Sequence, residues 1–116
     1  MAGHAAEMLK ASQCSATIRM DDVPRLQGCQ ELIEAGVEST LAPDNRFAAD
    51  KVKLSVPESS RYASLYDPQT CGGLLLGISS GVVAEALEFL TSQGFESSAV
   101  IGEVTQQSGE PSLTVQ

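Results

Sequence analysis

The small and apolar positions Ala5, Met8, Leu9 and Ser12 fall at i, i+3, i+4 and i+7, with Glu7 and Lys10 on the opposite face. This spacing predicts an amphipathic helix over residues 3–13. Residues 14–20 then alternate, with Cys14, Ala16, Ile18 and Met20 set against Ser15, Thr17 and Arg19. The period of two predicts a strand with one buried face. Asp21-Asp22-Val23-Pro24 offers acids and a proline for a first helical turn ahead of Leu26, Cys29, Leu32 and Ile33, and Gly36 suits its end.

Between Glu38 and Arg61 the pattern fails, because Pro43, Asp44, Asn45, Pro57, Ser59 and Ser60 interrupt it. Only residues 47–56 are expected to hold a short helix or strand. Order returns at Asp67-Pro68-Gln69-Thr70-Cys71-Gly72-Gly73, which runs into Leu74-Leu75-Leu76-Gly77-Ile78. That apolar run reads as a buried central strand. Ser79 and Ser80 can cap a helix carrying Val82, Val83, Ala86, Leu87 and Leu90, with Gly94 at its C-terminal cap. Residues 98–104 predict another strand, and Ser108-Gly109-Glu110-Pro111 turns the chain into a last strand over 112–116. Residues 74–104 thus form a strand–helix–strand unit, and the expected architecture is a layered mixed α/β domain.

At 116 residues and 42% apolar content, one domain can bury a sufficient core without disulfide or metal staples. Seven Lys and Arg against fifteen Asp and Glu leave a net charge of −8, which disfavours nucleic acid and anionic membrane surfaces as partners. Residues 62–116 carry acids but no Lys or Arg, so an anion there would need backbone N–H groups, a helix N-terminus or a bridging metal. Four of the basic residues, Arg46, Lys51, Lys53 and Arg61, sit instead in the patternless stretch. They form a solvated connection or a basic rim facing an anionic substrate. No apolar run reaches the ~18 residues of a membrane span, and no secretory leader pattern opens the chain. The odd set Cys14, Cys29 and Cys71 fits reduced thiols, pointing to a cytoplasmic protein. With His4 these could offer four zinc ligands, but no paired-cysteine knuckle exists, so no metal site is expected.

The Gly72-Gly73 pair is either a tight turn or a backbone concavity for an anion. A Walker phosphate loop and a dinucleotide fingerprint are excluded, since both follow a strand and open a helix whereas this loop precedes a strand. Cys71 lacks the neighbouring base or cation that a nucleophilic thiol needs. His4 reads as a residue of a first helical turn.

The stretch DPQTCGGLLL over residues 67–76 closely resembles the motif DPQTSGGLL of selenophosphate synthetase, also called selenide, water dikinase. Gly3-His4-Ala5-Ala6-Glu7-Met8 resembles the end of that family's DVTGFGLLGH-x-x-EM segment. Val23-Pro24, Gly36 and Asn45 resemble its VP…G…N stretch, and Ile101-Gly102-Glu103-Val104 its IIGEV strand. Aminoimidazole ribonucleotide synthetase and thiamine monophosphate kinases share the architecture but have different loops. The resemblance covers nearly the whole chain but only the C-terminal half of the family's usual length. It implies a three-layer α/β/α sandwich, partly ferredoxin-like, forming the C-terminal domain of an enzyme of the aminoimidazole ribonucleotide synthetase-like superfamily.

The family reaction converts ATP, selenide and water to selenophosphate, AMP and phosphate. The resemblance places the catalytic Cys or selenocysteine, its Lys and the main Mg2+-binding acids in an N-terminal domain without counterpart here, so no catalytic residue is expected in residues 1–116. Asp67, Pro68, Gln69, Thr70, Cys71, Gly72 and Gly73 are implied as a substrate and nucleotide cleft loop, with Gly3, His4 and Asn45 as secondary candidates. Cys71 replaces the family's serine. ATP and Mg2+ are implied for the parent and no cofactor for this chain alone. The implied partners are the N-terminal domain, in cis or from another chain, and a second parent protomer in a homodimer. Met1 falls just inside the DVTGFGLLGH motif, which points to an expressed fragment or a truncated reading frame. The competing expectation is a free-standing binding module that keeps the fold without the enzyme.

Overall fold

The computed structural model describes residues 1–46, 52–54, 60–69, 72–106 and 109–116. Helix α1 (Ala2–Ser12) ends where Gln13 takes a left-handed conformation (φ 52°, ψ 43°), its N–H reaching the carbonyls of Leu9 and Lys10. The chain turns there into β1 (Cys14–Ile18), the alternating segment read as a strand.

Four strands assemble in the order β2-β4-β1-β3. β1 pairs antiparallel with β3 (Gly102–Gln106) from Cys14↔Gln106 to Ile18↔Gly102. On its other side it runs parallel to β4 (Leu113–Val115), which runs parallel to β2 (Val52–Leu54). Ser15 adds side-chain ties, its hydroxyl accepting from the Ser112 N–H at 3.2 Å. The mixed α/β class read from the sequence is the one the chain adopts.

The core lies between this sheet and α1. Ala2, Ala5 and Leu9 of the helix, spaced for one face, pack with Ile18, Met20, Leu113 and Val115 and with Tyr62, Leu65 and Tyr66. The three aromatic and aliphatic anchors at 62, 65 and 66 come from a 3₁₀ turn (Ser60–Leu65) and the residue after it. Relative to the expected face, α1 is rotated so that Ala2 is buried and Met8 is exposed.

Several elements depart from the sequence reading. Asp21 and Asp22 do not open a long helix; they lie in a 3₁₀ turn (Met20–Asp22), held by ion pairs to Arg61 and Arg19. Gly28, left-handed at φ 82°, then breaks the path, and α2 spans only Cys29–Glu34. A short α3 (Ala42–Asn45), with Pro43 in its first turn, stands where the pattern had failed. Of residues 47–56, β2 supplies a strand; 47–51 and 55–56 lie outside the described residues.

The largest correction concerns Leu74 to Ile78. This run joins no strand pairing among the described residues, and Leu74, at 89% exposure, with Leu76 and Ile78 faces outward. Only Leu75 packs against the core. One side of the run meets protein and the other does not, so its apolar character does not produce a central strand. The expected strand–helix–strand unit therefore lacks its first strand. After a 3₁₀ turn (Ser80–Val82), α4 (Val83–Ser92) forms on the predicted stripe, but Val83, Ala86, Leu87 and Leu90 are half-buried and no residue of α4 is fully buried. The strand expected over 98–104 is displaced to β3. No helix among the described residues is long and apolar enough to cross a membrane.

Candidate functional site

Tyr62, Leu65 and Tyr66 plant the chain in the core immediately before Asp67, so the loop that follows starts from a fixed point. Two groups then hold the backbone at its threshold. The Met1 ammonium donates to the Leu65 carbonyl at 2.9 Å, and the Asn45 side-chain amide donates to the Tyr66 carbonyl at 3.0 Å. Past that point the Gln69 N–H bonds the Asp67 carbonyl at 3.0 Å, closing a tight bend. The start of α1, the end of α3 and the Asp67 loop therefore meet, although they are separated by 21 to 64 positions in sequence.

Asp67 and Pro68 are half-buried, and Gln69 is exposed. Thr70 and Cys71 lie outside the described residues. At Gly72 a Cβ would stand 3.1 Å from Gln69 Oε1 and 3.2 Å from its Cβ, so the Gln69 side chain folds against the glycine. Gly73 has open space about it. Gly3 is half-buried in the first turn of α1, while His4, the first-turn residue expected, is exposed.

Burial lowers the Met1 amino group below its ordinary pKa of 8.0, and the Asp67 carboxylate works in the opposite direction. Of the basic rim considered above, Arg61 and Arg46 are engaged. Arg61 pairs with Asp21 at 2.7 Å and lies over Tyr62. Arg46 pairs with Glu38 at 3.3 Å and its guanidinium lies 5.9 Å from the Tyr66 ring centre. Lys53 is exposed on β2, and Lys51 lies outside the described residues.

A Mg2+–ATP site requires several hard oxygen ligands and compensating positive charge. Among the described residues no group of three or more His, Cys, Asp and Glu side chains lies together. The one carboxylate of the loop is Asp67. These residues do not by themselves fit that group. What they can offer a ligand is shape and hydrogen bonding, through the Gln69 amide, loop backbone groups and the Asp67 carboxylate.

Sequence reasoning missed the anchors beneath the loop. Tyr62, Leu65 and Tyr66 stand at i, i+3 and i+4, a helical spacing that would have revealed a turn there. It also placed Arg46 only within a solvated connection or a basic rim, although the Arg46 guanidinium lies over the ring of Tyr66, the residue preceding Asp67.

Residues 1–113 match the family model described as AIR synthase related protein, C-terminal domain. The chain belongs to that family. Within it, the chain is 36% identical to the selenide, water dikinase of Dechloromonas aromatica (strain RCB) over 99% of its own length and 33% of that protein's. It is 34% identical to the selenide, water dikinase of Pseudomonas straminea over 97% of itself and 32% of that protein. The selenide, water dikinase of Clostridioides difficile (strain 630) is 30% identical over 97% of this chain and 33% of its own. The chain thus spans about a third of the length of these curated relatives.

Proposed function

We propose that this chain acts as the C-terminal domain of a selenide, water dikinase and forms one wall of its substrate cleft. The observation that carries this reading is the convergence of α1's first turn, Asn45 and the Asp67 loop, three segments far apart in sequence. The similarity to dikinases along nearly the whole chain supports it.

Phosphoryl transfer depends on positioning and on neutralising phosphate charge. A domain of net charge −8, whose loop-side arginine is engaged with Glu38, can contribute the first and not the second. The cations and the groups that react with ATP and selenide belong to the remaining two thirds of the parent, and the chain alone is inactive. The outward-facing Leu74, Leu76, Ile78 and Phe89 favour a domain that works beside another over a free-standing module.

The test replaces the C-terminal third of the Dechloromonas aromatica enzyme with this chain and follows selenophosphate by phosphorus NMR. The chimera should make selenophosphate, and the chain alone should neither make it nor consume ATP. ATP turnover by the chain alone, or a folded chimera without activity, would overturn the reading.

A further inference from the structure

The Asp67 loop is held at its start by a side-chain hydrogen bond from elsewhere in the fold. Asn45 is the last residue of α3, and its Nδ2 reaches across 21 positions to the Tyr66 carbonyl at 3.0 Å. The opposite face of that junction is fixed by burial, because Tyr66 and Leu65 belong to the core. Asp67 and the residues after it leave the core, since Gln69, Gly72 and Gly73 are exposed. The Asn45 bond therefore sits where ordered core gives way to loop, and it fixes the direction in which the loop departs.

We infer that Asn45 is a positioning residue: its side-chain N–H, acting through the Tyr66 carbonyl, sets the placement of Asp67 and Gln69 in the cleft. Its effect on turnover rests on the dikinase reading; its effect on the loop does not. The chemistry is specific to a donor. Asn45→Asp keeps the shape but removes the donor and sets a carboxylate against a carbonyl, whereas Asn45→Ala removes the donor without adding a charge. α3 is short and Asn45 is its terminal residue, so neither change removes a core side chain.

Two readouts test this. In the 116-residue chain, amide exchange at Gln69, whose N–H bonds the Asp67 carbonyl, should speed up about tenfold in both variants, the factor that follows from losing one ordinary hydrogen bond. Amides of β1 and β4 should keep their protection. In the chimera, both variants should raise KM for ATP or lower kcat about tenfold while the melting temperature holds. Unchanged loop exchange, a uniform loss of protection, or an Asn45→Asp variant matching the original chain would overturn the assignment. An inactive parental chimera would defeat the dikinase reading alone, and the exchange data would still decide the role of Asn45.

Discussion

Gly102 stands opposite Ile18 in the β1–β3 ladder and directly against Thr17, so that a Cβ at 102 would fall on the Thr17 carbonyl oxygen and within 3.1 Å of the Ile18 Cα. Both obstacles are backbone, and neither can move without pulling β1 away from β3. The requirement is close approach, not an unusual φ. It gives a physical reason for glycine in the Ile101-Gly102-Glu103-Val104 segment. Gly102→Ala should cost at least about 2 kcal/mol. Urea unfolding should show a lower midpoint with an unchanged slope; an unaltered midpoint would mean that the strands are not this close.

Tyr62 is fully buried, yet its hydroxyl has no hydrogen-bond partner among the described residues. A buried hydroxyl that has given up water without a replacement costs free energy, so deleting it should do no harm. Tyr62→Phe is expected to leave stability unchanged or raise it by about 1 kcal/mol. Tyr62→Ala, which empties the ring's place, should cost about 3–5 kcal/mol. A Tyr62→Phe variant that loses more than ~1 kcal/mol in calorimetry would show that the hydroxyl has a partner.

Periodicity made legible what is long and one-sided: α1, β1 and α4 all lie within a residue or two of their expected places, and β4 within the expected last strand. It failed where tertiary contacts choose the structure. α3 is a single turn around Pro43, too short to carry a period, and β2 is a three-residue strand that exists because β4 offers it a ladder. Gly28 overrode the helix expected from Pro24 by adopting φ 82°. The candidate site was proposed from motifs and not from geometry. Nothing in the sequence pattern said that Asn45 would meet Tyr66, because that contact depends on how α3 packs beside the 3₁₀ turn.

The Leu74–Leu76 pair separates a buried strand from an exposed run. Both side chains face outward, Leu74 at 89% exposure, whereas Leu113 in β4 is 1% exposed. Leu74→Ser in the 116-residue chain should change stability by no more than about 0.5 kcal/mol. Leu113→Ala should cost about 2–5 kcal/mol. If thermal unfolding shows Leu74→Ser to be as costly as Leu113→Ala, the run is buried in solution and the original expectation of a central strand stands.

The Met1 amino group makes stability depend on pH with a definite sign. Burial disfavours its charged form, and although Asp67 opposes this, the folded-state pKa lies below the ordinary 8.0. Between the lowered value and 8.0 the unfolded chain holds more protons than the folded one, so unfolding free energy rises with pH through that window. Below the window the full cost of burying the charge is carried, and above it that cost is gone. Acetylating the amine removes the titration but leaves an N–H able to donate to the Leu65 carbonyl. Urea unfolding from pH 6 to 9, on chain confirmed by intact mass to retain Met1, should therefore show the gap between acetylated and free chains closing as pH rises. Asp67→Asn removes the one opposing charge, so it should lower the amine further and extend the rise towards lower pH. A gap that stays constant or widens with pH would place the amino group in solvent and remove it from the junction with Leu65 and Asp67.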